Sequence, residues 1–444
     1  PHYVVLVGDG HYDFKNVLGT PMLNLIPPYL LHVDPWIGET AADNRYASVN
    51  GPDDYMPDMA LGRIPAQKPA ELTAAVDKIL RYEDAARPDY APDGDWQKMV
   101  SFVADQADDP AGDFQAFSED VRLNWLPASY NSRHVYWETD YQVANPDMVN
   151  AIKAALGDSV MLQWFGHASR FRWGSTQVFS IFSVKGMSPT PQWPLTVDYS
   201  CWTGYFVNLL NAAGSGDYRS LSEVMLLTAN QGSAATIGPS GLHVGGALLT
   251  LNQGLVKAIF QDEVLPVGDA LNAAKQHFLA NSNSWHDVVD TTVLFGDPAM
   301  RLRLPVDPNA APNPPYIGIS RAGSAVNLSW QHPDRTLTQY QVWRSEAPYF
   351  EPALGQGTQI HSYSYLQSVY GEGAPFSYVD DGSCGYFVAG AQPLLPCAPQ
   401  VPTTAVIGDP AHNYFWVVRG GNSSNEFADS NHVGVFNYAL TKGD

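Results

Sequence analysis

Cysteine is scarce in this chain, with three among 444 residues. So few cysteines exclude a scaffold held together mainly by disulfides. Cys384 and Cys397 lie thirteen positions apart in a stretch rich in glycine and proline, a spacing that a loop-closing disulfide can bridge if the geometry suits. That pairing leaves Cys201 as a free thiol and favours an oxidising compartment. The alternative is a cytosolic protein with three reduced cysteines.

Basic residues and long apolar runs are also lacking. Lys and Arg number 24 against 45 Asp and Glu, a formal net charge of −21, so nucleic acid is not an expected partner. No apolar run of about eighteen residues occurs, and the sequence therefore predicts no membrane span. The excess of carboxylates suits calcium, which prefers oxygen ligands, so structural calcium is one interpretation. Simple solubility explains most of these acids.

Several catalytic motifs are absent as well. The sequence contains no His-Glu-x-x-His, no paired Cys-x-x-Cys and no phosphate-binding Gly-Lys-Ser/Thr, which leaves zinc proteases and nucleotide enzymes without support. It also has no Gly-x-Ser-x-Gly, the motif of many serine hydrolases. The chemistry must therefore depend on other residues, and no cofactor is expected to be required.

Two apolar runs each end at a reactive side chain. Residues 160–165 lead into Gly166 and His167, and residues 195–200 lead directly to Cys201. Open α/β sheets place their chemistry where buried strands end. A turn histidine and a buried inert thiol are the alternatives for each residue alone. Their joint occurrence at two strand ends favours a nucleophile and its acid–base partner.

The pattern of elements divides the chain into two domains. Strand-like and helical segments alternate over residues 1–305, which predicts an α/β domain with a mainly parallel sheet flanked by helices. Residues 306–315 form a proline-rich linker. Short β-type runs follow over residues 316–444 and predict an all-β sandwich of immunoglobulin-like or fibronectin type III-like shape.

The first residues have the character of a buried strand that runs straight into a loop. No polar lead-in precedes this run. We therefore expect that the chain was processed, or that it is a fragment whose preceding segment is missing.

Five motifs occur in the order typical of gingipain-type cysteine peptidases, and the chain resembles that family over roughly residues 1–305. They lie at residues 4–9, at residues 43–46 together with 61–65, at 166–167, at 200–204 and at 295–298. Each is weak alone, and the resemblance depends on their order. It implies a caspase-like fold and a Cys-His dyad that cleaves peptide bonds. It also implies an N-terminal segment of the same precursor, bound as a separate chain.

The resemblance assigns roles to particular residues. Cys201 is the implied nucleophile and His167 its partner, and the backbone N–H groups of Cys201 and Ala168 are the implied oxyanion hole. The family usually has glycine where this chain has Ala168. If that position requires a positive φ, alanine there costs energy. That departure leaves open an inactive surface or assembly protein which keeps the fold for binding.

Specificity and the third acid are predicted less directly. Asp113 resembles the acid that selects a basic P1 residue in Arg-specific members, but an exposed helix N-cap explains it equally well. Asp105, Asp108 and Asp109 are candidates to orient His167 or to hold calcium, with solvated loop acids as the alternative; of these, Asp108 is the candidate third acid.

Ser240, Gly241 and Leu242 lie where the family builds its pocket wall. Together these observations predict an extracellular, secreted or cell-surface endopeptidase.

Overall fold

The computed structural model describes residues 2–51, 54–83, 87, 89–90, 93–141, 146–174, 178–209, 219–305, 314–322, 325–332, 337–364, 375–381, 412–422 and 424–435. They form two compact units, the first made of Pro1–Glu83 and Arg87–Pro305 and the second beginning at Val306. Cys384, Cys397 and most of the predicted linker lie outside the described residues. The predicted disulfide stays a prediction.

The elements of the first unit alternate between strands and helices. Its strands are β1 (Tyr3–Val7), β2 (Leu30–Asp34), β3 (Gly38–Ala41), β4 (Ala60–Ile64), β5 (Met99–Ala104), β6 (Asn131–Tyr136), β7 (Met161–Phe165), β8 (Ala168–Ser169), β9 (Arg172–Trp173), β10 (Phe179–Ser180), β11 (Leu195–Tyr199), β12 (Ala235–Pro239) and β13 (Thr292–Phe295). Its helices are α1 (Pro69–Glu83), α2 (Phe114–Asn124), α3 (Pro146–Leu156), α4 (Ile181–Lys185), α5 (Leu221–Leu227), α6 (Gly245–Phe260), α7 (Val267–Asn281) and α8 (Asp287–Thr291).

An eight-stranded sheet in the order β1-β4-β13-β12-β11-β7-β5-β6 forms the centre of this unit. The five strands from β12 to β6 are mutually parallel. Strands β13, β4 and β1 are parallel to one another, and the direction reverses only where β12 meets β13. The predicted, mainly parallel sheet is therefore confirmed.

Helices cover both faces of this sheet, as its apolar strands require. All five residues of β7, β11 and β12 are buried. Side chains of α2, α6 and α7 pack into one cluster of buried residues, and those of α3 and α4 pack into another. Strand β5 contributes Phe102 to the first cluster and Val103 to the second, as the alternation of a strand dictates.

Strand β1 corrects one expectation from the sequence. Its apolar run suggested a buried strand, yet β1 pairs with β4 alone and forms the edge of the sheet. Val5 and Val7 are 36% and 45% exposed as a result. An apolar run fixes the strand conformation, but it does not reveal whether a strand has one neighbour or two.

Helix α1 shows a second limit of periodicity. The spacing of Leu72, Val76, Ile79 and Leu80 at three and four positions predicts this helix, but Val76 and Leu80 are exposed. The same spacing predicts Lys78 on the outer face, yet Lys78 is buried, and its amine donates to the main-chain oxygens of Met225 and Gln231. These carbonyls satisfy the donors of a buried amine whose pKa burial lowers well below its usual value.

The second unit consists of antiparallel sheets. Its strands are β14 (Ile317–Ala322), β15 (Ala325–Gln331), β16 (Leu337–Ser345), β17 (Thr358–Ser364), β18 (Pro375–Asp380), β19 (Tyr414–Asn422), β20 (Phe427–Asp429) and β21 (Val433–Val435). One sheet has the order β14-β15-β18, and the other has the order β17-β16-β19-β20 with β21 also paired to β19. Short 3-10 turns in the two units cover Asp43–Tyr46, Asp95–Lys98 and Pro352–Leu354.

A buried ion pair joins these two sheets. Arg344 on β16 donates to both oxygens of Asp380 on β18 at 2.8 Å, and the Trp416 indole donates to the same carboxylate at 2.7 Å. Asp380 is fully buried. The predicted β-module is therefore present, while its assignment as fibronectin type III-like stays a prediction.

Candidate active site

The two reactive residues lie at the same level of the sheet, at the ends of neighbouring strands. Strands β7 and β11 pair in parallel with Phe165 opposite Tyr199, and the N–H of Gly166 donates to the Tyr199 oxygen at 3.2 Å. His167 and Cys201 each follow two residues after this last pair. Because adjacent strands are about 4.8 Å apart, the register places the two residues that the sequence singled out just beyond the ends of neighbouring strands.

The main chain before His167 is tightly fixed. Gly166 has a φ of +159°, and a Cβ at this position would lie 2.4 Å from the Cβ of Asp105. The buried Asp105 carboxylate accepts from the His167 N–H at 3.3 Å, and the Trp164 indole donates to the His167 oxygen at 3.2 Å. Burial raises the pKa of Asp105 above its usual value. This acid positions the backbone of His167 rather than its ring.

The imidazole ring of His167 contacts a different acid. Its Nε2 lies 2.6 Å from Oδ2 of Asp108, and its ring meets Phe114 edge to face with the centroids 5.2 Å apart. A carboxylate only accepts hydrogen bonds, so Nε2 carries a proton, and in the neutral ring Nδ1 keeps a free lone pair. Among the described residues, Nδ1 has no hydrogen-bond partner. The side chains of His167 and Asp108 remain 35% and 49% exposed.

Asp108 reaches the ring because the loop that carries it is closed. We call residues 105–113 the acidic loop. Within it, the N–H of Asp108 donates to the Gly112 oxygen at 3.0 Å, and the Gly112 N–H donates back at 2.6 Å. Gly112 has a φ of +127°, and a Cβ there would collide with Phe117. Of the three candidate acids, Asp108 is thus the one that contacts the imidazole.

Cys201 lies in a less polar environment than His167. Its Sγ donates to the main-chain oxygen of His243 at 3.7 Å. Burial raises the pKa of the Cys201 thiol above its usual value, the nearby Asp34 carboxylate raises it further, and a main-chain hydrogen bond at His243 partly offsets these effects. No hydrogen bond joins Sγ to the His167 ring among the described residues. Burial thus favours the neutral thiol over the thiolate, and the thiol proton is directed to a neutral carbonyl.

The backbone N–H groups of the two residues implied to form the oxyanion hole, Cys201 and Ala168, are not used in the hydrogen bonds of the described chain. The Cys201 N–H has no hydrogen-bond acceptor in the part of the chain that the structure describes. The Gly174 N–H donates to His167 O at 2.8 Å, and Ala168 pairs with Trp173 at the next position. Antiparallel pairs alternate between bonded and non-bonded, so the Ala168 N–H points away from Trp173.

Ala168 itself tolerates its side chain. It lies in β8 and is not one of the residues with a positive φ. The energetic cost that glycine would avoid therefore does not arise here. The sequence-based argument that alanine is unfavourable at position 168 therefore does not apply.

The residue after the nucleophile has an unusual backbone. Trp202 has a φ of +63°, a left-handed conformation that bulky side chains rarely adopt. Its N–H donates to the Gly241 oxygen at 3.0 Å, and the Gly204 N–H donates to the Pro239 oxygen at 2.8 Å. The turn that presents Cys201 is thus held by the chain that follows β12. Strain of this kind concentrates at functional sites.

The predicted pocket-wall residues lie along this same chain. Ser240 is fully buried, and its hydroxyl donates to the Ala41 oxygen at 2.5 Å and lies 3.1 Å from the Thr291 oxygen. The Leu242 N–H donates to Asp34 Oδ2 at 2.6 Å. The side chain of Ser240 therefore supports the wall from behind. Direct contact between a substrate and Gly241 or Leu242 stays a prediction.

Asp113 is the exposed helix N-cap that one of its two interpretations predicted. It is the N-cap of α2, where Oδ1 accepts from the Ala116 N–H at 2.9 Å, and it is exposed. A Cβ on Gly245 would lie 2.7 Å from the Ala111 oxygen, so the acidic loop packs against the start of α6. Asp113 therefore lies near the chain that follows β12, and its role in specificity stays a prediction.

Sequence reasoning missed the contributions of Asp34 and His243. Asp34 is buried in the β2–β3 hairpin, and the ring of His243 donates from Nε2 to the Thr291 hydroxyl, which itself donates to the Asp287 oxygen. Burial lowers the pKa of His243 to about 4. Contacts between residues some 200 positions apart, such as Asp34 with Leu242, leave no local signal in the sequence.

No group of three or more acidic, His or Cys side chains that could hold a metal ion occurs among the described residues. None of the helices in the described ranges is long and apolar enough to cross a membrane. Structural calcium stays a prediction.

The family model of peptidase family C25 matches residues 1–303. The chain belongs to peptidase family C25. It is therefore a cysteine peptidase, a hydrolase, as the resemblance to gingipain-type peptidases predicted. No curated protein matches the chain.

Solved gingipain structures share the fold of this C25 peptidase. The Arg specific cysteine proteinase gingipain R (RgpB) matches with a TM-score of 0.56 and 15% identity, over 97% of this chain and 82% of that one. The complex of RgpB pro- and mature domains from Porphyromonas gingivalis gives 0.54 and 15%, over 97% and 85%. A structure described only as a protease gives 0.55 and 15%, over 98% and 83%. At this identity the likeness establishes the fold alone.

Proposed function

We propose that this C25 peptidase hydrolyses peptide bonds with Cys201 as nucleophile and His167 as general acid and base. The observation that carries this proposal is the register of β7 and β11, which ends two neighbouring strands at these two residues. The free Nδ1 of His167 supports the role of the ring, because Asp108 occupies only Nε2. Asp108 is the third acid, which orients the imidazole and stabilises its charged form.

The geometry supports the following sequence of steps. When a peptide binds, the thiol proton passes to Nδ1 of His167 and the sulfur attacks the scissile carbonyl carbon. The N–H groups of Cys201 and Ala168 stabilise the oxyanion, at about 3 kcal/mol per donor. The imidazolium then protonates the leaving amine as the C–N bond breaks and a thioester forms. Water, deprotonated by His167, hydrolyses the thioester and restores the thiol.

The proposed preference is for a basic P1 residue, selected by Asp113. This acid is exposed at the edge of the acidic loop, and its N-cap bond uses only one of its oxygens. Gingipain R is described as Arg specific, which supports the preference by analogy.

Asp113→Asn tests that preference without removing the helix cap, because asparagine caps helices as well as aspartate does. We expect kcat/KM for peptides with Arg or Lys at P1 to fall about tenfold or more, since a charge-assisted hydrogen bond is lost. Peptides with a neutral P1 should be cleaved as before. Equal losses on both classes, measured with matched fluorogenic peptides, would exclude Asp113 as the pocket acid.

The wider setting of the enzyme is also a proposal. Its acidic composition, spare thiol and family suit an extracellular, secreted or cell-surface enzyme, with the β-module used for binding or spacing. Structural calcium and a separately bound N-terminal segment of the precursor belong to the same proposal.

Cys201→Ser is the direct test of the peptidase mechanism. Hydrolysis of basic-P1 peptides should disappear, and thiol-directed peptide inhibitors should no longer attach to residue 201, as judged by mass spectrometry. Unchanged activity would refute the mechanism. The alternative, an inactive family member used for binding, predicts instead that wild-type protein neither cleaves peptides nor reacts with these inhibitors.

A further inference from the structure

Two exposed tryptophans form a stacked pair in the catalytic unit. The rings of Trp36 and Trp285 are nearly parallel, with 9° between their planes and 5.5 Å between their centroids. Trp36 remains 51% exposed and Trp285 38% exposed. We call this pair the Trp platform. Large aromatic side chains with free area are typical of binding surfaces.

The backbone of Trp285 is strained in the conformation that forms the platform. Its φ is +61°, in the left-handed region that a bulky residue rarely adopts. Its carbonyl accepts from the Val288 N–H at 3.1 Å, so the residue is fixed at the start of α8. A strained exposed tryptophan indicates a function that outweighs the cost of the strain.

A single buried carboxylate connects the platform to the candidate active site. Asp34 Oδ1 accepts from the N–H groups of Trp36 and Ile37 at 2.8 and 2.9 Å. Its Oδ2 accepts from the Leu242 N–H at 2.6 Å, next to the His243 carbonyl that binds the Cys201 thiol. The platform and the nucleophile are therefore held by adjacent residues of one short segment.

The order of the sheet determines on which side of Cys201 the platform lies. Along the edge where Cys201 lies, His167 follows β7, Cys201 follows β11, Ser240 follows β12, and α8 precedes β13. His167 is thus on one side of the thiol and the platform on the other. In the proposed mechanism His167 protonates the leaving amine, so the amine half of the substrate lies toward β7. The acyl half beyond P1 then extends toward β12, β13 and the platform.

We propose that the Trp platform is a subsite for an apolar side chain on the acyl side of the scissile bond, beyond P1. Its occupant is a branched aliphatic or aromatic residue at one of the positions P2 to P4 of the peptide substrate. This subsite rests on the proposed peptidase function and adds a substrate class to it. The enzyme then recognises two features of a peptide, the P1 residue and an apolar residue that precedes it.

The test removes each tryptophan ring by a substitution that the backbone conformation at that position tolerates. Trp36→Ala truncates one ring, and Trp285→Gly removes the other while tolerating the positive φ. Tyr349→Ala, at a tyrosine of the second unit that is 85% exposed, is the matched control. Peptides share one P1 residue and carry Leu, Phe or Gly at P2, P3 or P4.

At one of these three positions, we expect wild-type enzyme to prefer Leu or Phe over Gly by about tenfold in kcat/KM. Both tryptophan variants should reduce that preference to about twofold or less, with the Gly peptides cleaved at the wild-type rate. The control should keep the full preference. A preference that survives in both variants, or an equal loss on all peptides, would overturn the subsite.

A binding measurement separates the subsite from the peptidase mechanism. The Cys201→Ala protein cannot turn over, so fluorescence polarisation gives the Kd of labelled Leu and Gly peptides directly. Weaker binding of the Leu peptide alone after Trp36→Ala supports the subsite even if the wild-type protein cleaves nothing, in which case only the proposed function fails. Equal Kd values for the Leu and Gly peptides before that substitution contradict the subsite, whatever the catalytic result.

Discussion

The ends of β7 and β11 are neighbours in the sheet but have opposite physical character. The His167 ring is partly exposed, hydrogen-bonded to a carboxylate, and has one free nitrogen. The Cys201 thiol is largely buried, donates to a neutral carbonyl, and has a raised pKa. His167 is thus suited to proton transfer, whereas the environment of Cys201 keeps the thiol neutral until substrate binds. Reactivity at this site therefore depends on combining the His167 ring with the Cys201 thiol.

Of the substitutions that test this contrast between His167 and Cys201, His167→Ala should have the largest effect on activity. Loss of the acid and base should lower kcat/KM by about 10²- to 10⁴-fold. The pH midpoint for alkylation of Cys201 by iodoacetamide should hardly move, because the resting thiol does not depend on the ring. A midpoint that rises markedly in the variant would show a thiolate–imidazolium pair and contradict the comparison.

Asp198→Asn tests the buried environment near Cys201 by its effect on the stability of the protein. Asp198 lies on β11, three residues before Cys201, and burial raises its pKa to about 7 while Thr203 and Trp173 lower it. The folded state therefore holds a proton that the unfolded state releases near pH 4. The stability that this proton contributes is complete below about pH 4 and is lost as the pH rises toward 7.

Asparagine mimics the protonated acid at every pH. Thermal unfolding should therefore show equal midpoints for the two proteins near pH 4. At pH 8 the variant should have the higher midpoint, because its free energy of unfolding is greater by up to about 4 kcal/mol. Ser101→Ala, which removes another buried polar group of the sheet, is a control without titration. If the variant is destabilised equally at both pH values, the raised pKa of Asp198 is refuted.

Asp108→Asn should give the smallest effect, on the exposed side. The amide oxygen can still accept from Nε2 of His167, but the negative charge is lost. Because exposed ion pairs contribute about 1 kcal/mol, kcat/KM should fall only about five- to tenfold. Asp109→Asn, which alters the adjacent acid, should have little effect in the same assay. A loss as large as that of His167→Ala would mean that Asp108 does more than orient the ring.

The sequence predicted the parts of this comparison that depend on local pattern. Apolar runs located β7 and β11, and the side chains that follow them identified His167 and Cys201. The acidic loop was also visible, although only geometry distinguishes Asp108, on the ring, from Asp105, on the backbone. The alternation of strands and helices was sufficient to predict the mainly parallel sheet.

Other features depend on contacts between distant segments and could not be predicted. The β2–β3 hairpin approaches the chain after β12 through Asp34 and Leu242, and Trp36 meets Trp285. The edge position of β1 likewise depends on strand order rather than composition. Ala168 illustrates the reverse case, since a departure from the family pattern looked costly until the backbone at that position was known.

The hydrogen bond from Cys201 to residue 243 uses a main-chain oxygen. Every amino acid supplies that acceptor, so replacement of the side chain at position 243 leaves the partner of the thiol in place. Evolution, or a designed library, can therefore vary the chain after β12 and change which peptides are chosen without rebuilding the nucleophile. Selectivity and reactivity are in this respect separately adjustable traits of one short segment.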